Sequence, residues 1–371
     1  MKVLHVITGL ASGGAERQLA LLLKHLPDEC DVVCLTNPGL VADRMRADGF
    51  RVHNLGMTSN RDVTAVRRLA AVVKTGRYDL VHTHLYRAGL YGRLAARLAG
   101  VRAIVATEHS LGATQIEGRP KDRPGVRGMY RAAERLGSTT IAVSPAVRRL
   151  LIEWGVDAGR IEVIPNGIDA DAFRYDSGLR DLTRKALGIA EDAFVVGGVG
   201  RLEPGKRFGV LIEAVAAIED AVLLLVGAGS ERAGLERLAK AGASDRVVFA
   251  GETDNVTAML CAMDVFASPS TEETFGLAIL EAVACGLPVV YADSPALEDI
   301  KDIEHPGRSL RAASEAPAFR AAVTAAGLLS RDRHVPAASL SSYGIAEQAT
   351  RISELYRRIL CGPVPSKESH V

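Results

Sequence analysis

No stretch of this 371-residue sequence reaches the roughly 18 uninterrupted apolar residues that a membrane-spanning helix needs. Cysteine is scarce. The five present, Cys30, Cys34, Cys261, Cys285 and Cys361, include no CxxC pair, which argues against zinc ligation or a disulfide framework and for reduced thiols used in packing. The opening MKVLHVITGLASGGAER offers one lysine and a short apolar run that stops at Gly13 and Gly14. That pattern fits a buried strand better than a signal peptide, so the expectation is a cytoplasmic protein. Net charge is nearly absent as well, at +1.

What is abundant is apolar. Hydrophobic residues make up 48 % and charged residues 24 %, enough to bury large cores and to exclude wholesale disorder or a fibrous repeat. At roughly 150 residues per domain the length implies two domains. The small net charge conceals an asymmetry. Residues 1–165 carry 24 Lys+Arg against 15 Asp+Glu, or +9, and residues 166–371 carry 21 against 29, or −8. A basic half can face an anionic acceptor or lipid surface, or attract the acidic half across a cleft. Nothing in the pattern suggests nucleic-acid recognition.

Short apolar runs alternate with amphipathic stretches throughout, the pattern of parallel strands joined by helical crossovers. Predicted strands in the first half are Val3–Thr8, Asp31–Leu35, Arg51–Leu55, Asp79–His82, Ala103–Thr107, Thr139–Val143 and Ile161–Ile164. In the second half they are Ala193–Val199, Ala221–Val226, Arg246–Phe249, Asp264–Ala267 and Leu287–Tyr291. Between the sets, Pro165, Asn166 and Gly167 supply turn chemistry and mark the hinge. The predicted division is residues 1–165, residues 166–340, and a terminal segment 341–371 whose helix, Tyr343–Leu360, is followed by a frayed tail.

Four motifs carry the candidate chemistry. Thr8-Gly9-Leu10-Ala11-Ser12-Gly13-Gly14 places a glycine-rich turn at a helix N-terminus, which can receive an anion or simply turn tightly. It lacks the Lys-Ser/Thr ending of a P-loop. Gly227-Ala228-Gly229-Ser230-Glu231-Arg232 tempts a dinucleotide reading but puts Arg232 where a third small residue is needed. Gly200-Arg201-Leu202-Glu203-Pro204-Gly205-Lys206 presents an Arg fork and a Lys point charge on one turn, able to hold both phosphates of a diphosphate as it departs. In Glu273-Thr274-Phe275-Gly276-Leu277-Ala278-Ile279-Leu280-Glu281, two carboxylates eight residues apart bracket a helix start. One sits just before the helix and the other is expected about two turns within it, so both can bind hydroxyls while the helix N-terminus meets a phosphate.

EETFGLAILEAVACGLPVV resembles the E-x7-E signature of family 4 glycosyltransferases, retaining sugar-nucleotide enzymes of the α/β GT-B fold. GRLEPGK, VGAGSERAGLERLA, VVFAG, DVFASPS, VIPNGID, SGGAER and DLVHTHLYRAGLYGRLAARLAG with TEHS support it, covering most of residues 1–295 in family order. The resemblance implies two Rossmann-like domains facing a cleft, an N-terminal acceptor-side domain and a C-terminal donor domain, with the terminal helix crossing back to the first. It implies that Arg201 and Lys206 grip the diphosphate, that Glu281 binds the ribose, and that Glu273 with the Phe275, Gly276 and Leu277 backbone holds the transferred sugar. Gly13 and Gly14 would close over the donor, His109 would lie beside the reacting carbon, and Gly251 and Thr253 would receive the base. Two positions depart from the family: Thr274 and Arg207 each stand where a glycine is usual. After Pro295 the family's Gly-rich strand and loop are not recognisable in EDIKDIEHPGRSLRAASEAPAF, which suggests a trimmed segment.

His82 and His84 alternate on one strand face, but with no carboxylate partner evident they do not make a metal site. Asp169-Ala170-Asp171 mimics a metal-holding DxD yet lies in the hinge. No metal or other cofactor is expected beyond the nucleotide sugar as co-substrate. The expected reaction is retaining transfer from a nucleoside-diphosphate sugar, a UDP-sugar favoured, to a hydroxyl of a small-molecule acceptor. The alternative acceptor is lipid-linked, with peripheral membrane contact through basic residues such as Arg119, Lys121, Arg123, Arg127, Arg131 and Arg135. Rivals of another class are a nucleotide-sugar epimerase and a noncatalytic sugar-binding protein.

Overall fold

The computed structural model describes residues 1–371 apart from 12, 60–61, 113, 118, 121–124, 243, 299–307, 329–332, 335–339 and 363–371. The expected frayed tail, apart from Gly362, and the Lys121-Asp122-Arg123 run therefore lie outside the described residues. The chain forms two compact units, Met1–Gly167 with Ile345–Val371, and Ile168–Gly344. The breaks fall at 167/168 and 344/345, where the sequence reading set 165/166 and 340/341. The reason is local: Ile168 N donates to Tyr343 O at 2.8 Å and Ile168 bridges Gly344, which ties both crossing segments to the second unit.

Strands of the first unit are β1 (Lys2–Ile7), β2 (Glu29–Cys34), β3 (Arg51–Asn54), β4 (Leu80–His84), β5 (Ile104–Glu108), a short antiparallel pair β6 (Gln115–Ile116) and β7 (Arg119–Pro120), then β8 (Thr139–Ala142) and β9 (Ile161–Val163). Among the described residues seven of them make a parallel sheet in the order β3-β2-β1-β4-β5-β8-β9. Its central strands are buried on both faces because helices cover both. Val3 and Ile7 pack into one core with Val32, Val105 and the terminal helix residues Ile352, Leu355 and Tyr356. Leu4, Val6, Val33 and Val81 pack into the other. The terminal helix, Ile345–Cys361, is tied down by polar contacts as well as by its apolar stripe. Gln18 Nε2 donates to Gln348 Oε1 at 2.8 Å, Ser353 Oγ to Asp28 Oδ2 at 2.9 Å and Arg351 Nη2 to Val163 O at 2.6 Å.

The second unit contains β10 (Phe194–Val199), β11 (Ala221–Val226), β12 (Val247–Gly251), β13 (Val265–Ser268), β14 (Val289–Tyr291) and β15 (Ser309–Arg311), parallel in the order β12-β11-β10-β13-β14-β15. Strand β15 corrects the sequence reading, which found none after Pro295. Three residues of mixed polarity, Ser309-Leu310-Arg311, are too few to show a period, and they pair only because β14 offers an open edge: Val289, Val290 and Tyr291 oppose them in register.

Candidate functional site

In an open parallel sheet, ligands collect beyond the carboxyl ends of strands where the strand order reverses. The second sheet reverses between β10 and β13. The segments leaving those two strands are Gly200–Lys206 and Pro269–Gly276, the two motifs singled out above. The structure joins them directly: Lys206 Nζ donates to Glu273 Oε1 at 2.5 Å, with the lysine side chain 30 % exposed and the glutamate 12 %. Lys206 ends a single 3-10 turn, Pro204–Lys206, and Arg201 stands exposed at the other end of the same loop. Glu273 is fixed through its backbone, whose N–H donates to Asp293 Oδ2 at 2.7 Å.

The glycines of Gly227-Ala228-Gly229 have a packing explanation. A Cβ on Gly227 would stand 2.0 Å from Gly200 O and one on Gly229 2.3 Å from Leu202 O, so the loop after β11 presses against the loop after β10. Hydrogen bonds close the seam. Leu202 N reaches Ala228 O at 2.8 Å, and Glu203 takes both Ser230 N at 3.1 Å and Ser230 Oγ at 2.7 Å. Those two bonds hold the Glu203 carboxyl below its ordinary range. The loop that carries Arg201 and Lys206 is therefore braced from behind.

The helix beyond Glu273 spans Leu277–Ala284, with Gly276 at its N-cap in the left-handed region at φ 97°. The positive φ stops the helix from starting earlier. Glu281 is thus the fifth helical residue, one turn in rather than the two turns expected. It is half-buried with Leu277 and Ala278 on the face opposite the packed Ile279, Leu280, Ala282 and Val283. Phe275 points inward, its ring 5.7 Å from that of Tyr343, which leaves only backbone for a ligand there. Gly251 closes β12 at φ 75° with open space where a Cβ would be. Thr253 Oγ1 accepts from Asn255 N at 3.0 Å, supporting the turn into the helix Val256–Ala262. The family's missing glycine after the lysine has a conformational trace: Arg207 is held at φ 53° and donates from Nη2 to Ser314 O at 2.9 Å. Thr274 has no such positive φ.

Gly13, Gly14 and His109 lie in the other unit, at the carboxyl ends of β1 and β5, with β4 between those strands. Gly13 is the extended N-cap of the helix Gly14–His25. His109 follows β5 and is half-buried; desolvation lowers its pKa to about 4. Its Nε2 lies 3.3 Å from His84 Nδ1. Glu108 turns to the opposite face, where it accepts from Tyr130 Oη at 3.0 Å and burial lifts it to about 7. The Asp169-Ala170-Asp171 triplet is occupied locally: Asp169 Oδ1 caps Ala172 N at 3.3 Å and Asp171 pairs with Arg174. Part of the basic helix Val126–Glu134 is also spoken for, since Arg127 donates to Trp154 O at 3.2 Å and Glu153 O at 2.8 Å. Among the described residues no helix is long and apolar enough to cross a membrane.

Two contributors escaped the sequence reading. Asp293 follows β14 by two residues, at the strand end where ligands gather, and a carboxylate there was the available signal. Burial raises its pKa, partly opposed by the hydrogen bond it accepts from the Glu273 N–H. His5 stands opposite His82 across β1 and β4, a pairing that no local pattern encodes.

The chain is similar to known glycosyltransferases. The profile of Glycosyltransferase Family 4 matches residues 12–172 and that of Glycosyl transferases group 1 matches residues 193–326. The UDP-Gal:alpha-D-GlcNAc-diphosphoundecaprenol alpha-1,3-galactosyltransferase of Escherichia coli is 31 % identical over 314 residues, 79 % of this chain and 79 % of that protein. A D-inositol 3-phosphate glycosyltransferase of Salinispora tropica is 34 % identical over 252 residues, 61 % of this chain; the chain spans about half of that relative's length, 52 %. The crystal structure of Anabaena HepE in complex with UDP and glucose superposes at a TM-score of 0.82 with 24 % identity, over 96 % of this chain and 99 % of that one. The two parallel-sheet units are thus those of the GT-B fold.

Proposed function

Because the chain belongs to glycosyltransferase family 4, and is therefore a glycosyltransferase that draws on nucleotide sugars, we propose that it moves a hexose from a UDP-sugar, with retention, to a hydroxyl of a phosphate-bearing acceptor. The observation that carries the donor side is the Lys206–Glu273 pair at 2.5 Å, set where the second sheet reverses its strand order. A lysine ammonium has three donors, so Lys206 can keep Glu273 while it turns another N–H toward a phosphate oxygen. Arg201, across the same loop, offers a planar fork to the second phosphate. Glu273 keeps acceptor capacity for a sugar hydroxyl and Glu281 for the ribose diol. Gly251 and Thr253 border the base. UDP is favoured by the bound UDP of HepE and by the donor in the E. coli relative's name.

As the glycosidic bond breaks, negative charge grows on the diphosphate, and Arg201, Lys206 and the helix N-terminus at Gly276 stabilise it most when it is largest. In the front-face course that retention implies, a leaving phosphate oxygen takes the acceptor's proton and no protein base is needed. The two cations neutralise the diphosphate without a metal ion, and no other cofactor takes part. The acceptor reading rests on the relatives' names: diphosphoundecaprenol-linked GlcNAc in one and inositol 3-phosphate in the other both carry phosphate, and residues 1–165 here carry a net +9. The lipid-linked diphosphate comes first because that relative aligns over more of the chain; a small soluble phosphate is second.

Thermal-shift titration with UDP, GDP, ADP and dTDP in EDTA tests the donor, using Lys206→Ala and Glu281→Ala as controls. UDP alone should raise Tm, and both substitutions should abolish the rise. A stronger response to another nucleotide would replace UDP. Incubation of labelled UDP-sugars with a polyprenyl-diphosphate GlcNAc and with an inositol phosphate then separates the acceptors, and NMR of the product's anomeric carbon reads the stereochemistry.

A further inference from the structure

Beside the loop that carries Glu273 runs a second segment, Asp293 to Ala296, whose polar side chains have no part in the donor chemistry so far described. It leaves β14 and lies along Glu273 to Gly276 at three points. Glu273 N donates to Asp293 Oδ2 at 2.7 Å, Ala296 N donates to Phe275 O at 3.0 Å, and a Cβ on Gly276 would stand 2.8 Å from Ser294 Oγ. Ser294 is fully buried and its hydroxyl has no hydrogen-bond partner among the described residues, so a polar group is left over beside the start of the helix Leu277–Ala284. From behind, Tyr343 Oη donates to Ala296 O at 3.0 Å. The segment is a fixed wall to the stretch read above as holding the transferred sugar.

Three carboxylates meet at this wall, and two of them have cations. Lys206 pairs with Glu273 at 2.5 Å and Arg311 with Glu298 at 3.1 Å. Asp293 has no ion-pair partner among the described residues, and Arg311 eases its charge only from a distance. Its Oδ2 takes the Glu273 N–H, its Oδ1 has no donor among the described residues, and the side chain is partly exposed. A carboxylate kept beside another carboxylate without its own cation is costly. Bracing a backbone N–H does not need that charge, because an amide oxygen accepts the same bond. An acceptor with spare lone pairs at the edge of a sugar-holding loop suits a hydroxyl, which donates.

We infer that Asp293 is a specificity-determining residue of the donor site: its carboxylate accepts a hydroxyl of the transferred sugar beside Glu273, and the two carboxylates together admit neutral hexoses and turn away uronic acids. The inference rests on the reading of Glu273 as the residue that holds the sugar. A uronate would bring a third negative charge to Glu273 and Asp293, against which Lys206 sets a single positive one. Like charges brought together in a partly desolvated site oppose binding strongly, whereas a hexose offers hydroxyl donors in the same place. The competing role is a brace alone, in which Asp293 does no more than hold the Glu273 N–H.

The two roles separate on Asp293→Asn, whose amide oxygen can still accept the Glu273 N–H while the charge is lost. Isothermal titration calorimetry on the full chain, at pH 7.5 where an ordinary aspartate is ionised, compares UDP, UDP-glucose, UDP-galactose and UDP-glucuronate. The wild type should bind the better of the two UDP-hexoses about 100-fold more tightly than UDP-glucuronate. Asp293→Asn should bind UDP as the wild type does and narrow that preference about tenfold. Asp293→Ala, which also leaves the Glu273 N–H without its acceptor, should weaken every sugar nucleotide further. An unchanged preference in Asp293→Asn would leave Asp293 a brace and overturn the inference. So would a wild type that takes UDP-glucuronate as tightly as a UDP-hexose, or an Asp293→Asn that no longer binds UDP. Asp293→Asn decides the matter even if Asp293→Ala does not fold. A wild type that binds none of the four fails the donor reading itself, and the inference with it, whereas binding of UDP-hexose with no effect of Asp293→Asn fails the inference alone.

Discussion

Both sheets reverse their strand order beside their first strand, β1 against β4 in one unit and β10 against β13 in the other, yet the two reversals carry opposite chemistry. At the first, imidazoles are packed into an apolar core and kept neutral by desolvation. At the second, a lysine and a glutamate meet as an ion pair on solvent-reaching loops. One topology thus supplies a neutral, rigid site and a charged, adaptable one. The difference comes from where the polar residues sit: inside the strand in His5, His82 and His84, beyond the strand end in Lys206 and Glu273. A side chain in the strand inherits the core's low dielectric, whereas a loop side chain keeps water until a ligand displaces it.

Acid should break the first site before the second. His5 and His109 have folded pKa values of about 3 and 4 against an ordinary 6.5. The unfolded chain therefore binds protons that the folded one refuses, and stability is full above pH 6.5 and lost as pH falls toward 4. Each such histidine costs about 2 kcal/mol between pH 6.5 and 5, at about 1.4 kcal/mol per unit. His82 and His84 act in the same sense. Glu108, lifted to about 7, acts in the opposite sense and offsets roughly one of them. Urea unfolding followed by Trp154 fluorescence, which reports the first unit, should lose a few kcal/mol over that range, and His5→Leu should flatten the slope. A pH-independent midpoint would mean that the histidines are hydrated.

The second site should break by loss of charge. Lys206→Ala should lower kcat by about 10²–10³-fold, the scale of removing one preorganised electrostatic contact, as read from steady-state transfer rates. Its folding stability should change little, because the Lys206–Glu273 pair is partly exposed. Bracing of the loop predicts a smaller effect: Gly227→Ala, with its new methyl 2.0 Å from Gly200 O at φ 135°, should cost about 2 kcal/mol in denaturant unfolding and raise the donor KM. Smallest is Arg207→Gly. It relieves a left-handed non-glycine residue but loses the bond to Ser314 O and adds backbone freedom to the unfolded chain, so a change below about 1 kcal/mol is expected by the same assay.

Much of the candidate donor site is legible in the sequence because its residues are close together and each motif ends an apolar strand. Arg201 and Lys206 share one turn, and Glu273 to Glu281 share one helix start, so spacing alone places them. The reading failed where geometry depends on a single dihedral or a distant partner. The φ of 97° at Gly276 is invisible in the sequence, and it delays the helix so that Glu281 falls one turn in rather than two. Ser309–Arg311 carries no periodic signal of its own and becomes a strand only against β14. VGAGS reads as a failed nucleotide motif, whereas its glycines answer the backbone of the neighbouring loop.

The sequence by itself determined the alternation of strand and helix, the two-domain division and the chemistry of the loops after β10 and β13, because hydrophobic period and turn residues act within a few positions of the chain. Tertiary structure alone decided that Lys206 meets Glu273 across 67 residues, that Asp293 holds the Glu273 backbone, and that His5 joins His84 across 79. Strand order and register bring those groups together, and the free energy that fixes register is the burial of whole sheet faces, a sum over the core that no local segment contains.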